Sequence, residues 1–147
     1  MSNDWQALQQ QFAAAFDTFL EVCAQLDPAL HEQKVVDGQW SPKDLVAHFT
    51  GWEHEATERF WRFLAGPTEN SAYDNDSFNS RSVAARQHLT WNQTIRELRT
   101  ARQSFLEAIA AVTPDDLAQE PRFSEWLANI TEHYAEHTTQ LQHTKQP

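Results

Sequence analysis

Ser41-Pro42-Lys43-Asp44-Leu45-Val46-Ala47-His48-Phe49 opens the most legible helix of the chain. Serine is a strong helix N-cap, proline has the fixed φ that suits a first turn, and an acidic side chain three residues after the cap can reach back to it. Downstream, Leu45, His48, Phe49, Trp52, Ala56, Phe60 and Phe63 recur in steps of three and four and therefore share one helical face. Gly66-Pro67 closes the run. One member of this apolar stripe is not apolar: His48 stands where a leucine would ordinarily be.

The same periodicity recurs on both sides. Toward the N-terminus, Trp5, Leu8, Phe12, Ala15, Phe16, Phe19, Val22, Cys23 and Leu26 trace a first helix, followed by Pro28 and a connection through Gly38. After the second helix, residues 68–88 are polar and irregular and predict a long crossover with one short helix near Ser80 to Arg86. Thr90, with Gln93 three residues on, then starts a third helix striped by Trp91, Ile95, Leu98, Arg102, Phe105, Ile109 and Val112. Arg102 is the odd member of this stripe; Ala101 is expected to sit centrally, with Arg102 snorkelling to the edge. Thr113-Pro114-Asp115-Asp116 ends that helix and begins a new turn. A last helix from about Ser124 to His143 turns Trp126, Leu127, Ile130, His133, Tyr134, His137 and Leu141 inward.

With three glycines in 147 residues and no strand pattern, the chain reads as all-α: a four-helix bundle with a long crossover between helices two and three. One domain is expected over residues 1–147, its core at about 5–142. The formal charge of -10, from 11 Lys+Arg against 21 Asp+Glu without a basic run, argues against nucleic-acid partners. The single cysteine, Cys23, rules out an intramolecular disulfide and reads as a small buried apolar residue. Met1-Ser2-Asn3-Asp4-Trp5 lacks the basic and apolar regions of a signal peptide, and no apolar run approaches the roughly 20 residues of a membrane span. A cytoplasmic protein that does not associate with membranes is expected.

His48, His133 and His137 all fall on inward stripes. A buried imidazole without a partner costs on the order of 1 to 3 kcal/mol, so each needs a hydrogen bond or a metal. A single inward histidine is ordinarily satisfied by a hydrogen bond; three of them, two spaced i and i+4, point to a shared partner. Imidazole suits zinc, nickel and iron(II), and His133-x-x-x-His137 sets two ligands one turn apart. His54 should point away from the stripe, while His31, His88 and His143 lie in connections or at a helix end and read as surface residues. Glu55 can orient a ligand, act as a base or pair with Arg59 at i+4. No nucleophile elbow, phosphate-binding glycine loop or paired-cysteine zinc motif is present in the sequence.

Trp40-Ser41-Pro42-Lys43-Asp44-Leu45-Val46-Ala47-His48-Phe49 with Trp52-Glu53, and His133-Tyr134-Ala135-Glu136-His137, together resemble the second-helix and last-helix signatures of the DinB/YfiT-like superfamily. Tyr73-Asp74-Asn75-Asp76-Ser77-Phe78-Asn79 and Thr90-Trp91 are similar to the ClbS/DfsB-type branch. The resemblance implies an up-down-down-up bundle, a homodimer, and one divalent ion (zinc, nickel or iron) held by His48, His133 and His137. It further implies a hydrolase or a transferase with a low-molecular-weight thiol as co-substrate. The name refers to DNA-damage induction, a stress response, and implies no DNA binding.

The resulting expectation is a metal-dependent enzyme acting on a small electrophile. Trp52, Tyr73, Phe78 and Trp91 would line the mouth of the site, with Asn79 orienting substrate. The competing readings are a protein that binds or sequesters a small molecule without turnover, and a dimerising helical module whose histidines bond to one another, to Tyr134 or to water.

Overall fold

The computed structural model describes residues 3–70 and 73–144. Ser71 and Ala72 of the polar connection lie outside the described residues, as do both ends of the expected 1–147 domain: Met1 and Ser2, which head the N-terminal reading, and Lys145 to Pro147. The described residues form six α-helices and one 3-10 turn, and no strand. Four helices are long: α1 (Asn3–Gln25), α2 (Pro42–Ala65), α4 (Trp91–Ala110) and α6 (Arg122–Gln142). Two are short: α3 (Asn75–Ala84) in the crossover and α5 (Pro114–Gln119). The chain contacts group into two compact units, one of residues up to Pro42 with those from Thr113 on, the other of Lys43 to Val112.

In the first unit α1 packs on α6. The contact is built on Tyr134, fully buried, whose ring meets Phe12, Phe16 and Phe19 edge-on at centroid distances of 6.5, 5.7 and 5.3 Å. Edge-to-face aromatic pairs add about 0.5–1.5 kcal/mol each beyond their area, and three on one ring fix the rotation of α6 about its axis. Cys23 fills the same core; burial pushes its thiol pKa up to about 12, so it remains protonated and inert at neutral pH. After α1, the 3-10 turn Pro28–Leu30 buries Leu30, and the chain reverses at a tight turn where Val36 N–H donates to Trp40 O at 2.9 Å. Asp37 and Gly38 both take positive φ there, 51° and 71°. Asp tolerates that region better than most residues.

The second unit is organised around α2, whose first half is buried on every side: residues 42–51 are all shielded from water. The polar residues among them are answered by neighbours. Lys43 Nζ donates to the carbonyls of Gln87 at 3.3 Å and Leu89 at 2.8 Å, while Asp44 accepts from Gln87 Nε2 at 2.8 Å. One turn further on, Glu53 carries no exposed surface and receives both Nε and Nη2 of Arg102, the shortest contact being 2.7 Å. Arg102 therefore does not snorkel. It lies buried beside an equally buried Ala101 because the carboxylate waiting on α2 accepts its fork, a bidentate pairing that only Arg can make. Below it, Phe60 and Phe105 pack edge to face at 4.9 Å.

The short crossover helix starts five residues earlier than its composition predicts. Asp74 Oδ1 accepts from Ser77 N at 3.1 Å and its Oδ2 accepts from Ser77 Oγ at 2.9 Å, so the polar run is a capped helix start rather than an irregular loop. The capping box expected at Thr90 and Gln93 is present. The turn begun at Thr113 becomes α5, with Asp116 closing a second box, and α6 begins at Arg122, two residues before Ser124.

Gly51 lets α3 reach α2. A Cβ at this position would sit 2.2 Å from Ser82 Oγ and 2.7 Å from Ser82 Cβ. Gly51→Ala should therefore lower stability to urea by about 1–3 kcal/mol through overpacking, despite a helix-propensity gain near 1 kcal/mol. Ser82→Gly in the same chain should restore most of it. Arg102→Ala should cost about 3–5 kcal/mol by leaving Glu53 buried and unanswered, measured by the same denaturation.

Candidate metal centre

His48 lies in the buried half of α2, and α3 supplies its partner. Its Nδ1 is 3.1 Å from Asn79 Oδ1, and the same oxygen accepts the indole N–H of Trp52 at 2.7 Å. An indole nitrogen can only donate, so the amide atom it faces must be the oxygen. The amide orientation is thereby settled, and so is the histidine tautomer: facing an acceptor, Nδ1 carries the proton and the lone pair is on Nε2.

His133 and His137 are set by Tyr134. With that ring buried among the phenylalanines of α1, residues one before and three after it fall together along the edge of the apolar face of α6. Both imidazoles are partly buried, and their rings stack with centroids 5.1 Å apart and planes 18° from parallel. His137 Nδ1 lies 2.6 Å from Gln140 Oε1, and Gln140 Nε2 donates to Asp37 Oδ2 at 3.0 Å. A carboxylate only accepts, so the nitrogen end of Gln140 faces Asp37 and its oxygen faces His137. His137 consequently has the same tautomer as His48.

Burial lowers the pKa of His133, helped by the neighbouring His137, and burial likewise lowers that of His137 against the opposing pull of Gln140 and Glu136. Both are neutral at pH 7, the form that ligates a metal. One ring nitrogen from each of His48, His133 and His137 lies within 4.8 Å of the others, a set that can hold a metal ion. The donor chemistry fits the expected group. Three neutral nitrogens with neither thiolate nor carboxylate suit zinc, nickel or iron(II), and leave an ion's charge uncancelled.

These features agree with comparison to known proteins. The sequence profile of the DinB superfamily matches residues 11–141. The chain belongs to the DinB superfamily. It shares its fold with an uncharacterised protein from Escherichia coli UTI89 of known crystal structure, at a TM-score of 0.81 and 16% identity over 97% of this chain and 92% of the other. No curated protein matches the sequence. Within this DinB-superfamily chain no described helix is long and apolar enough to cross a membrane.

Four of the five residues expected near substrate come together in the second unit. Trp52 packs on Phe78 at 4.3 Å and on Tyr73 at 5.6 Å, and Tyr73 meets Phe78 at 6.3 Å. Asn79 joins them through Trp52, its amide oxygen facing both His48 Nδ1 and the Trp52 indole N–H. Trp91 is the first residue of α4 and is partly buried there. Glu55 pairs with Arg59 at 3.9 Å, as its i+4 spacing allows, and His54 is exposed as expected. Arg59 was not foreseen in this group; its Nε donates to Tyr73 Oη at 2.5 Å, with the guanidinium carbon 5.3 Å from the ring centroid. Gln140 and Asp37 were not foreseen either. The i+3 spacing of Gln140 from His137 was a readable signal, whereas the pairing with Asp37 spans 103 residues and was not.

Lowered imidazole pKa values tie stability to acid. Below the ordinary value of 6.5 the unfolded chain takes up protons that buried His133 and His137 resist, so stability is present above about pH 6.5 and declines as pH falls through that range. NMR titration of the metal-free protein should give midpoints under 6.5 for both; a midpoint above it contradicts the burial described.

Proposed function

We propose that this DinB-superfamily protein is a metal-dependent enzyme, a hydrolase or a thiol-dependent transferase, in which His48, His133 and His137 hold one divalent ion and a small electrophilic molecule is the substrate. The carrying observation is the convergence of three imidazole nitrogens within 4.8 Å, with two of the rings held so that Nε2 has the lone pair. A bound divalent ion supplies Lewis acidity, polarising what it binds and lowering the pKa of water or a thiol toward neutrality.

The chain's own residues contribute the rest. Trp52, Phe78 and Tyr73 present an apolar aromatic cluster on the side of His48 that Asn79 connects to, suited to a flat or apolar part of a small molecule. Arg59, on the far edge of Tyr73, places positive charge at the end of that cluster, where it can hold an anionic group of substrate or of a thiol co-substrate. Trp91 is assigned to the same mouth on its sequence resemblance. The ClbS/DfsB-type branch, the up-down-down-up order of α1, α2, α4 and α6 in one domain, a homodimer and a cytoplasmic setting without nucleic-acid or membrane partners complete this reading, all on sequence grounds.

His137→Ala should remove bound metal from the purified, untagged protein without unfolding it, as measured by elemental analysis beside circular dichroism. Retention of a full equivalent contradicts the assignment. Turnover of model electrophiles with thiols, with and without added zinc, nickel or iron(II), should depend on the metal and be lost in the variant. Saturable binding without turnover would mark a sequestering protein instead.

A further inference from the structure

We infer that Asn79 and Gln140 are positioning residues, two amide clamps that fix His48 and His137 in the Nδ1–H tautomer and so present both Nε2 atoms as ligands. Their value to a metal rests on the function proposed above; the tautomers themselves do not. The two clamps are built on one logic from unrelated parts of the chain. In each, an amide oxygen accepts from a histidine Nδ1–H, at 3.1 Å for Asn79 and 2.6 Å for Gln140.

In each, a further group removes the ambiguity of the amide itself. Trp52 can only donate, so it holds the oxygen of Asn79 toward itself and His48. Asp37 can only accept, so it draws the nitrogen of Gln140 outward and leaves the oxygen for His137. A histidine without such a partner samples both tautomers and must reorganise before binding an ion through Nε2. The positive φ of Asp37, 51°, is consistent with a residue held in a less common backbone conformation at the point where its carboxylate meets Gln140. Trp52 thus has a role beyond packing, since its ring lies among Phe78 and Tyr73 while its N–H sets the amide that sets the histidine.

The test reads the tautomer directly, in the metal-free protein, from long-range proton–nitrogen NMR correlations of the imidazoles at pH 8. In the unmodified chain His48 and His137 should both show protonated Nδ1 and unprotonated Nε2. Asn79→Leu and Gln140→Leu should each release its own histidine into a tautomer mixture without altering the other. Asn79→Asp, which keeps an acceptor for both Nδ1 and the indole, should restore the His48 pattern. Trp52→Phe leaves Asn79 in place and tests the orienting step should Asn79→Leu fail to fold; His48 should become mixed.

Zinc affinity, measured by competition with a chelating dye, should fall roughly 10- to 100-fold in the leucine variants. Nε2–H signals for either histidine in the unmodified chain, or an unchanged pattern in the leucine variants, overturns the inference. The predicted tautomers in a protein that takes up no zinc would sustain the clamps and overturn the metal reading.

Discussion

The second long helix carries a lysine, an aspartate, a histidine and a glutamate into places that water does not reach, and the surrounding structure is arranged to answer them. Burying such groups unpaired costs several kcal/mol each, enough to consume the net stability of a domain of this size. Backbone carbonyls of Gln87 and Leu89 receive Lys43, the Gln87 amide receives Asp44, Arg102 receives Glu53, and Asn79 receives His48. The crossover and α4 are thus placed by polar groups as much as by apolar ones. Of these four buried groups, His48 alone also belongs to the set of three neighbouring imidazoles.

The apolar architecture was open to reading in the sequence because periodicity reports it directly. The four long helices follow from stripes such as Leu45, Phe49, Trp52 and Phe60, and the Thr90–Gln93 box marked the start of α4 correctly. What escaped depends on partners distant in sequence. Arg102 looked like a residue bound for the surface because nothing local reveals Glu53, which is 49 positions away. The start of α3 was missed because Asp74 and Ser77 resemble loop residues until they are seen to cap a helix.

For the candidate site, the sequence singled out three imidazoles whose nitrogens lie close together, but not their orientation. Inward placement of His48, His133 and His137 follows from helical spacing, and their nitrogens do converge. Asn79, read as a substrate contact, is engaged with His48 and Trp52, and Gln140 with Asp37 lay beyond any local pattern. Hydrogen-bond direction, which decides which nitrogen can ligate, is a property of three-body arrangements such as Trp52–Asn79–His48. The stretch matched by the DinB superfamily, residues 11–141, takes in the three histidines as well as Asn79, Gln140 and Asp37.

The central claim is that His48, His133 and His137 act together as one ligand set. X-ray absorption spectroscopy of the nickel- or zinc-loaded full chain counts imidazole ligands without reference to activity. The account predicts three imidazoles on one ion; two or fewer, or an ion ligated mainly by carboxylates, would contradict it.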